Sequence, residues 1–200
     1  MTATVAAILL AAGVSRRMGS CKQLLPLEGK TVIAHCLETL LAGGIEDPIV
    51  VIGPHGDEVE RAAREFPVQV VRNSDPEADM AASVRTGRQA LSPFITAVVV
   101  ALCDYPLVTA RTIAHLIEEH RRNPQQIVIP CHNGRRGHPS LFPRRLLDTL
   151  SAPLTLRDLL RGNPERITHL TVADSGILID MDTMEDYQKV IEFRKVAGLA

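Results

Sequence analysis

Near the amino terminus an apolar run, Val5 to Leu10, breaks at Ala11-Ala12-Gly13, and Ser15, Arg16, Arg17 and Lys22 follow closely. The run has the length and composition of a strand buried on both faces. Small side chains after it let a ligand approach the backbone, and glycine adopts dihedrals that other residues resist. The donors and positive charge gather just past the carboxyl end of the strand, which is where open α/β sheets bind ligands. Strand, glycine turn and clustered cations together describe a cradle for phosphate. The plainer alternative is a strand-to-loop boundary with solvated arginines. The cradle is preferred because acidic residues at a second strand end, Asp104 above all, supply a reason for the charge.

Two hundred residues suit one domain, 1–200, large enough for a real core. Apolar residues make up 46%, charged residues 22%, and the formal net charge is −1, a soluble globular composition. A general nucleic-acid binder usually carries a basic face, so nucleic acid is not the expected partner. Aromatic residues are 3% with no Trp, which also argues against base-stacking platforms. A local basic cluster on a near-neutral chain fits a small anionic ligand.

Cys21, Cys36, Cys103 and Cys131 form no C-x-x-C pair and match no zinc spacing. No signal-peptide pattern opens the sequence, and no apolar run approaches the roughly 18 residues of a membrane span. Reduced thiols, a cytoplasmic location and no membrane association are therefore expected. Cys21 reads as a small loop residue more readily than as a reactive thiol.

Further along, Thr31 caps a helix to about Leu41, Gly43-Gly44 ends it, and residues 49–52 form a second strand. Asp57 to Glu65 is a polar helix, Val68 to Val71 a strand, and Ala81 to Leu91 a helix with Gly87 inside it. Ala97 to Leu102 is the strongest strand pattern and should be central. Thr109 caps a helix to about Arg121, and Ile127 to Pro130 is another strand. Cys131 to Pro139 reads as a basic, glycine-bearing loop, with short helices at Pro143 to Leu150 and Thr155 to Leu160. Ile167 to Val172 and Ile177 to Ile179 read as the last strands, and Thr183 to about Val196 as the closing helix. Alternating strands and helices predict a Rossmann-like three-layer α/β/α sandwich with a mostly parallel sheet.

Asp104 follows the strongest strand and precedes Tyr105-Pro106, so it should sit at a carboxyl edge like the cradle. A carboxylate beside a phosphate site makes sense with a cation between them, and Mg²⁺ takes one or two carboxylates plus phosphate and water oxygens. Capping a turn before proline is the equal alternative. Asp180 and Asp182 should share a face with Met181 opposite, and one of them could complete a metal site or cap the helix. In the second basic loop, His138 stands near Arg135 and Arg136 and is a candidate contact for an acceptor; the alternative is a surface histidine. The other six histidines are assigned no role.

Four segments carry a family resemblance: L-A-A-G-V-S-R-R-M-G-S-C-K, A-L-C-D-Y-P, G-H-P and D-M-D-T-M-E-D-Y. In order and spacing, from about residue 4 to 193, they resemble the nucleotidyltransferases that act on the molybdenum cofactor. The first segment is shared with sugar-1-phosphate and methylerythritol cytidylyltransferases. Gly137-His138-Pro139 and the D-x-D-T ending resemble the molybdopterin cytidylyltransferase branch. The resemblance implies a sheet of the nucleotide-diphospho-sugar transferase type, Mg²⁺, and an NTP over the first loop. Leu10, Ala11, Ala12, Gly13, Ser15, Arg16 and Lys22 would bind the nucleotide, with Arg16 and Lys22 on the triphosphate. Asp104 and Asp182 would hold the metal, with Asp180 as second choice. Asn73 and Ser83 would lie on the base side, because N-x-x-P-x-x-x-M-x-x-S resembles the base-side segment. Arg136, Gly137 and His138 would serve the acceptor. Asp79 stands where the family usually has glycine and changes the charge of the base pocket; Met184 stands where it usually has proline.

The chemistry fits these residues. An acceptor phosphate oxygen attacks the α-phosphorus of an NTP and pyrophosphate leaves. A phosphate monoester is already anionic at neutral pH, so no general base is required; positioning and charge neutralisation are. Ala12, where guanylyl members carry glycine, points to CTP. The acceptor implied is molybdopterin, with a molybdoenzyme as a possible further partner. A sugar phosphate or similar acceptor, and a non-catalytic accessory role, remain the alternatives.

Overall fold

A computed structural model describes residues 4–13 and 18–197. The elements in chain order are β1 (Val5–Ala11), β2 (Pro26–Leu27), β3 (Lys30–Thr31), α1 (Val32–Ala42), β4 (Pro48–Ile52) and α2 (Asp57–Ala63). Then come β5 (Gln69–Arg72), α3 (Met80–Gln89), β6 (Ala97–Leu102), α4 (Ala110–Arg122), β7 (Ile127–His132), β8 (Arg135–Arg136) and β9 (Ser140–Pro143). The chain closes with α5 (Arg144–Leu147), α6 (Leu156–Arg161), β10 (Ile167–Thr171) and α7 (Met184–Ala197).

The main sheet runs β10-β7-β9-β6-β1-β4-β5, with β8 on β7. β1 lies parallel between β4 and β6, and its residues from Val5 to Ala11 pair in unbroken register with one or both. Its apolar run is continuous because helices cover both faces of the sheet. Ala7 and Leu9 join Val50, Val99, Ile33, Leu37, Ile113 and Val190, and so pack toward α1, α4 and α7. Ala6 and Ile8 join Val51, Val98, Val84, Leu147 and Leu159, toward α3, α5 and α6. Alternate residues of one strand thus feed two cores, which is the three-layer arrangement expected. Thr31 caps α1 by accepting from the Ala34 amide at 3.3 Å, and Thr109 caps α4 through the Thr112 amide at 3.4 Å.

Three segments differ from expectation. The stretch from Cys131 to Pro139 is not one loop. β7 continues to His132, turns at Asn133-Gly134, where φ is +49° and +75°, and returns as β8. Two central residues at positive φ make the tight turn that matches strand twist. The chain then enters β9, which lies antiparallel between β6 and β7. β9 is four residues bounded by Pro139 and Pro143, too short and too proline-flanked to show a strand period. The residues from Ile177 onward are also not a strand: Ser175–Leu178 forms a 3₁₀ turn anchored by Asp174. The expected helix from Pro143 shrinks to Arg144–Leu147.

Gly87 is where α3 comes closest to the sheet. A Cβ there would lie 2.7 Å from Ile8 Cγ2 and 2.9 Å from Val51 Cγ2. Alanine gains about 1 kcal/mol of helix propensity over glycine, but overpacking a close-packed core costs about 1–3 kcal/mol. Gly87→Ala is therefore expected to lower stability by roughly 1 kcal/mol. A urea melt with a midpoint at or above that of the parent would show that α3 can move away from β1 at no cost.

Candidate active site

The carboxyl ends of β1, β4, β5 and β6 open onto a cleft of about 300 Å³. Leu10, Ala12 and Gly13 form one wall, Asn73 and Ser83 another, and Lys22 and Asp104 stand at one side. Six of the expected nucleotide-site residues therefore meet at a single cleft, with Asp104 beside them. Ala11 ends β1 in the core. Ser15 and Arg16 lie outside the described residues.

Lys22 is the electrostatic centre. Its Nζ is 2.9 Å from Asp104 Oδ2 and 3.0 Å from Asp182 Oδ1. The lysine side chain is 11% exposed and that of Asp104 22%, whereas Asp182 is about half exposed at 49%. Burial pulls the Lys22 pKa down, but Asp104 and then Asp182 more than reverse this, so it ends above the ordinary lysine range. Lys22 is charged at every physiological pH. Asp104 Oδ1 is buried and has no hydrogen-bond partner among the described residues. A carboxylate with one oxygen on a cation and the other buried without a partner is a strong seat for a further positive charge.

No cluster of three or more His, Cys, Asp or Glu that could hold a metal occurs among the described residues. Mg²⁺ and Mn²⁺ can be bound by one or two carboxylates, with the rest of the shell from phosphate and water. Asp104 and Asp182 fit such an ion, since both already converge on one cation. Asp180 and Asp182 are exposed on either side of the fully buried Met181, so the expected alternation holds although the segment pairs with no strand. Asp182 bonds Lys22; the cap of α7 is Thr183, which accepts from the Asp186 amide while Asp186 accepts in return.

The segment carrying these aspartates is fixed by Asp174. Its Oδ2 accepts from the Thr109 amide (2.8 Å), Thr109 Oγ1 (2.9 Å) and Thr112 Oγ1 (2.6 Å), and its Oδ1 from the Gly176 amide (2.9 Å). This ties the last turn of the site to the start of α4. Gln23 does the same for the first loop: buried, it donates from Nε2 to Ala11 O and Gly13 O, both at 3.0 Å. Sequence reasoning assigned neither residue a role. A glutamine beside a lysine in a polar loop gives no sign that it is inside, whereas D-S-G is a turn signal that could have flagged Asp174.

On the wall of the cleft where a base is expected, the buried Asn73 receives its place from three bonds. Its amide donates to Ile52 O at 2.9 Å, its Nδ2 to Ser83 Oγ at 3.3 Å, and its Oδ1 accepts from the Asp75 amide at 3.2 Å. Asp79 lines the same cleft, but its carboxylate caps α3 by accepting from the Ala82 amide at 2.6 Å. The added charge is thus partly spent on a helix N-terminus.

The second loop divides. His138 packs against Tyr105 with ring centroids 5.0 Å apart. Burial lowers its pKa, with Asp104 and Asp180 opposing, so the ring is neutral at pH 7. Tyr105 is pushed up to about 12, by burial first and then by Asp180, Asp104 and Asp182. Gly137 is required: a Cβ would sit 2.3 Å from Ile177 O, and its own amide donates to Pro130 O at 2.8 Å. Arg136 turns the other way, donating to His169 Nε2 at 3.1 Å on β10. The structure packs His138 on Tyr105, the residue after Asp104, and leaves the Arg136 guanidinium on the flank.

Gln23→Ala leaves two carbonyls of the first loop without a donor, and each unmet buried group costs about 1–3 kcal/mol. A loss of about 2 kcal/mol in unfolding free energy is expected, with faster amide exchange in residues 11–13. Wild-type exchange at Gly13 in this variant would mean that the loop holds its shape by other contacts.

Residues 7–167 match the family model described as "MobA-like NTP transferase domain". The chain is 30% identical over 199 residues to nicotine blue oxidoreductase of Paenarthrobacter nicotinovorans, covering 94% of this chain and 96% of that one. It is 29% identical over 188 residues to the molybdenum cofactor cytidylyltransferase of Escherichia coli, covering 90% and 92%. Among solved structures, Rv0371c of Mycobacterium tuberculosis superposes with a TM-score of 0.84 at 29% identity, covering 96% and 99%. A manganese complex of Rv0371c superposes at 0.80 and 27% identity, covering 94% and 98%. The matched span runs from β1 through β7 to the first residue of β10 and takes in the whole cleft, and on that extent the chain belongs to the MobA-like NTP transferase family.

Proposed function

We propose that the protein, as one nucleotidyltransferase domain, transfers CMP from CTP to a phosphate monoester acceptor of the molybdopterin or molybdenum cofactor class and releases pyrophosphate. The observation that carries this reading is the Lys22 ammonium held between Asp104 and Asp182 at the side of the cleft. A triphosphate needs positive charge on its oxygens, and a transferred phosphoryl group needs that charge prearranged. Lys22, with Arg16, holds the triphosphate. Asp104 and Asp182, with Asp180 as second choice, would hold Mg²⁺, which would supply neutralisation of the developing charge. The acceptor phosphate attacks the α-phosphorus as a dianion, so the neutral His138 acts by hydrogen bonding and not as a base.

The base preference rests on size. Gly53 passes so close to the first loop that a Cβ on it would be 3.0 Å from Ala12 O. Ala12 lines the cleft, and its methyl group narrows the space that a glycine would leave, so a pyrimidine is the better fit. The similarity to a molybdenum cofactor cytidylyltransferase over most of both chains supports cytidine and the acceptor class. A second reading has its own observation, the similarity to an oxidoreductase over an equally long span. An oxidoreductase would turn over an electron donor and leave NTP intact.

Pyrophosphate release with Mg²⁺, a molybdopterin acceptor and each of the four NTPs separates these readings. CTP is expected to be used about tenfold or more better than GTP, the scale on which shape alone discriminates. Asp104→Ala should fold and lose roughly a hundredfold or more in kcat. GTP used as well as CTP overturns the base assignment; no pyrophosphate from any NTP, with turnover of an electron donor instead, overturns the transferase reading.

The acceptor is assigned to the loop of Arg136, Gly137 and His138. Removing one hydrogen bond from a bound phosphate costs about 1.4 kcal/mol, or tenfold. His138→Ala, and more weakly Arg136→Ala, should raise the acceptor KM by about that factor and leave the CTP KM near its parent value. The opposite split would place the loop on the nucleotide.

A further inference from the structure

A second cleft lies at the other end of the sheet. It opens where the chain enters β6 and leaves β9, beside the end of α4. Thr96 on its rim and Asp104 stand before and after the six residues of β6, so roughly 25 Å separates it from Lys22 and its carboxylates. Its volume is about 660 Å³. Three arginines line it, Arg121, Arg144 and Arg145, and no carboxylate does among the described residues. The prolines at 93, 124 and 143 give it an apolar wall. On a chain of net charge −1 this is a marked local excess of positive charge.

His120 makes it more than a charged surface. The residue is 1% exposed, lines this cleft, and has no hydrogen-bond partner among the described residues on either ring nitrogen. Buried imidazole nitrogens are normally paired, and leaving one unpaired costs about as much as a lost hydrogen bond. Burial lowers its pKa, so at pH 7 it is neutral and offers one N–H donor and one acceptor nitrogen. The last turn of α4, which carries it, places Arg121 next in the chain on the exposed side. Arg144 is oriented from behind by Asp148, at 2.8 Å from its Nε.

We propose that this cleft is a binding site, separate from the nucleotide site, for a small organic phosphate. Arg121 and Arg145 meet the phosphate oxygens, the proline wall receives the carbon skeleton, and His120 bonds a hydroxyl or phosphate oxygen that reaches beneath them. Guanidinium forks favour phosphate over a single carboxylate, because three oxygens can be shared between two planar donors.

The test uses the full-length protein, ¹⁵N-labelled, at fixed ionic strength and pH 7. Ribose 5-phosphate, inorganic phosphate and ribose are titrated separately, and the ring nitrogens of His120 are followed by NMR. The expected result is a saturable shift of the His120 signals with ribose 5-phosphate at millimolar concentration or below. Inorganic phosphate should bind more weakly, and ribose should produce no shift. Arg121→Ala and Arg145→Ala change exposed side chains and should fold; each should weaken ribose 5-phosphate binding about tenfold, as loss of a charged hydrogen bond does. Lys22→Ala should leave the titration unchanged, which keeps this outcome distinct from binding at the nucleotide site. Two results overturn the proposal: His120 signals that do not move with either phosphate, or a shift that both arginine variants reproduce at parent affinity. A response to phosphate equal to that of ribose 5-phosphate reduces the site to an ion site and overturns the organic ligand.

Discussion

One ammonium group holds together parts of the chain that meet nowhere else in sequence. Lys22 follows the first loop, Asp104 ends the central strand, and Asp182 precedes the last helix. The three are brought to a point because β1 and β6 are parallel neighbours and their carboxyl ends fall on the same edge. Remove the cation and two carboxylates face each other across a half-buried gap, one of them with an oxygen that nothing else satisfies. The placement of the last segment has to serve that balance, and Asp174 with its four hydrogen bonds is what fixes it.

The architecture was largely legible in the sequence, for a physical reason. β1, β4 and β6 are buried on both faces, and apolar runs of that kind between capped helices leave few alternatives to a parallel sheet. Thr31 and Thr109 mark their helix starts because a hydroxyl at that position meets an orphan amide. β9 was not legible. A four-residue stretch that follows one proline and ends in another carries no period, and what makes it a strand is the gap between β6 and β7 that only the folded sheet creates. The Asn133-Gly134 hairpin could have been read from its dipeptide, but the surrounding basic residues resemble an open loop.

The candidate site was legible where charge carries the signal and opaque where buried polarity does. Lys22, Asp104 and Asp182 stand out as charges at the ends of elements. Gln23 acts on the backbone, and nothing in residue type distinguishes it from solvent-facing neighbours; Asp174 shows only as the first residue of a turn, with no sign that it ties that turn to α4. His138 was visible as a loop histidine; its neutrality was not, because burial against Tyr105 and the opposing pull of Asp104 and Asp180 are products of the fold. Family membership follows from the length of the match, whereas cytidine, the acceptor and the metal rest on the argument from charge and size.

The strand inserted between β6 and β7 has a consequence for how such a molecule can change. β6 is a boundary: the strands β1, β4 and β5 that frame the cleft lie on one side, and β9, β7 and β10, which carry the second loop, on the other. Because β7 is anchored in the sheet by β9 and β10 and β8 pairs with it, the hairpin tip at Asn133 and Gly134 can lengthen, shorten or change composition while both of its legs stay in register. Changes at that tip therefore leave undisturbed the half of the sheet that frames the cleft, so one rim of the fold can vary while the other is held constant.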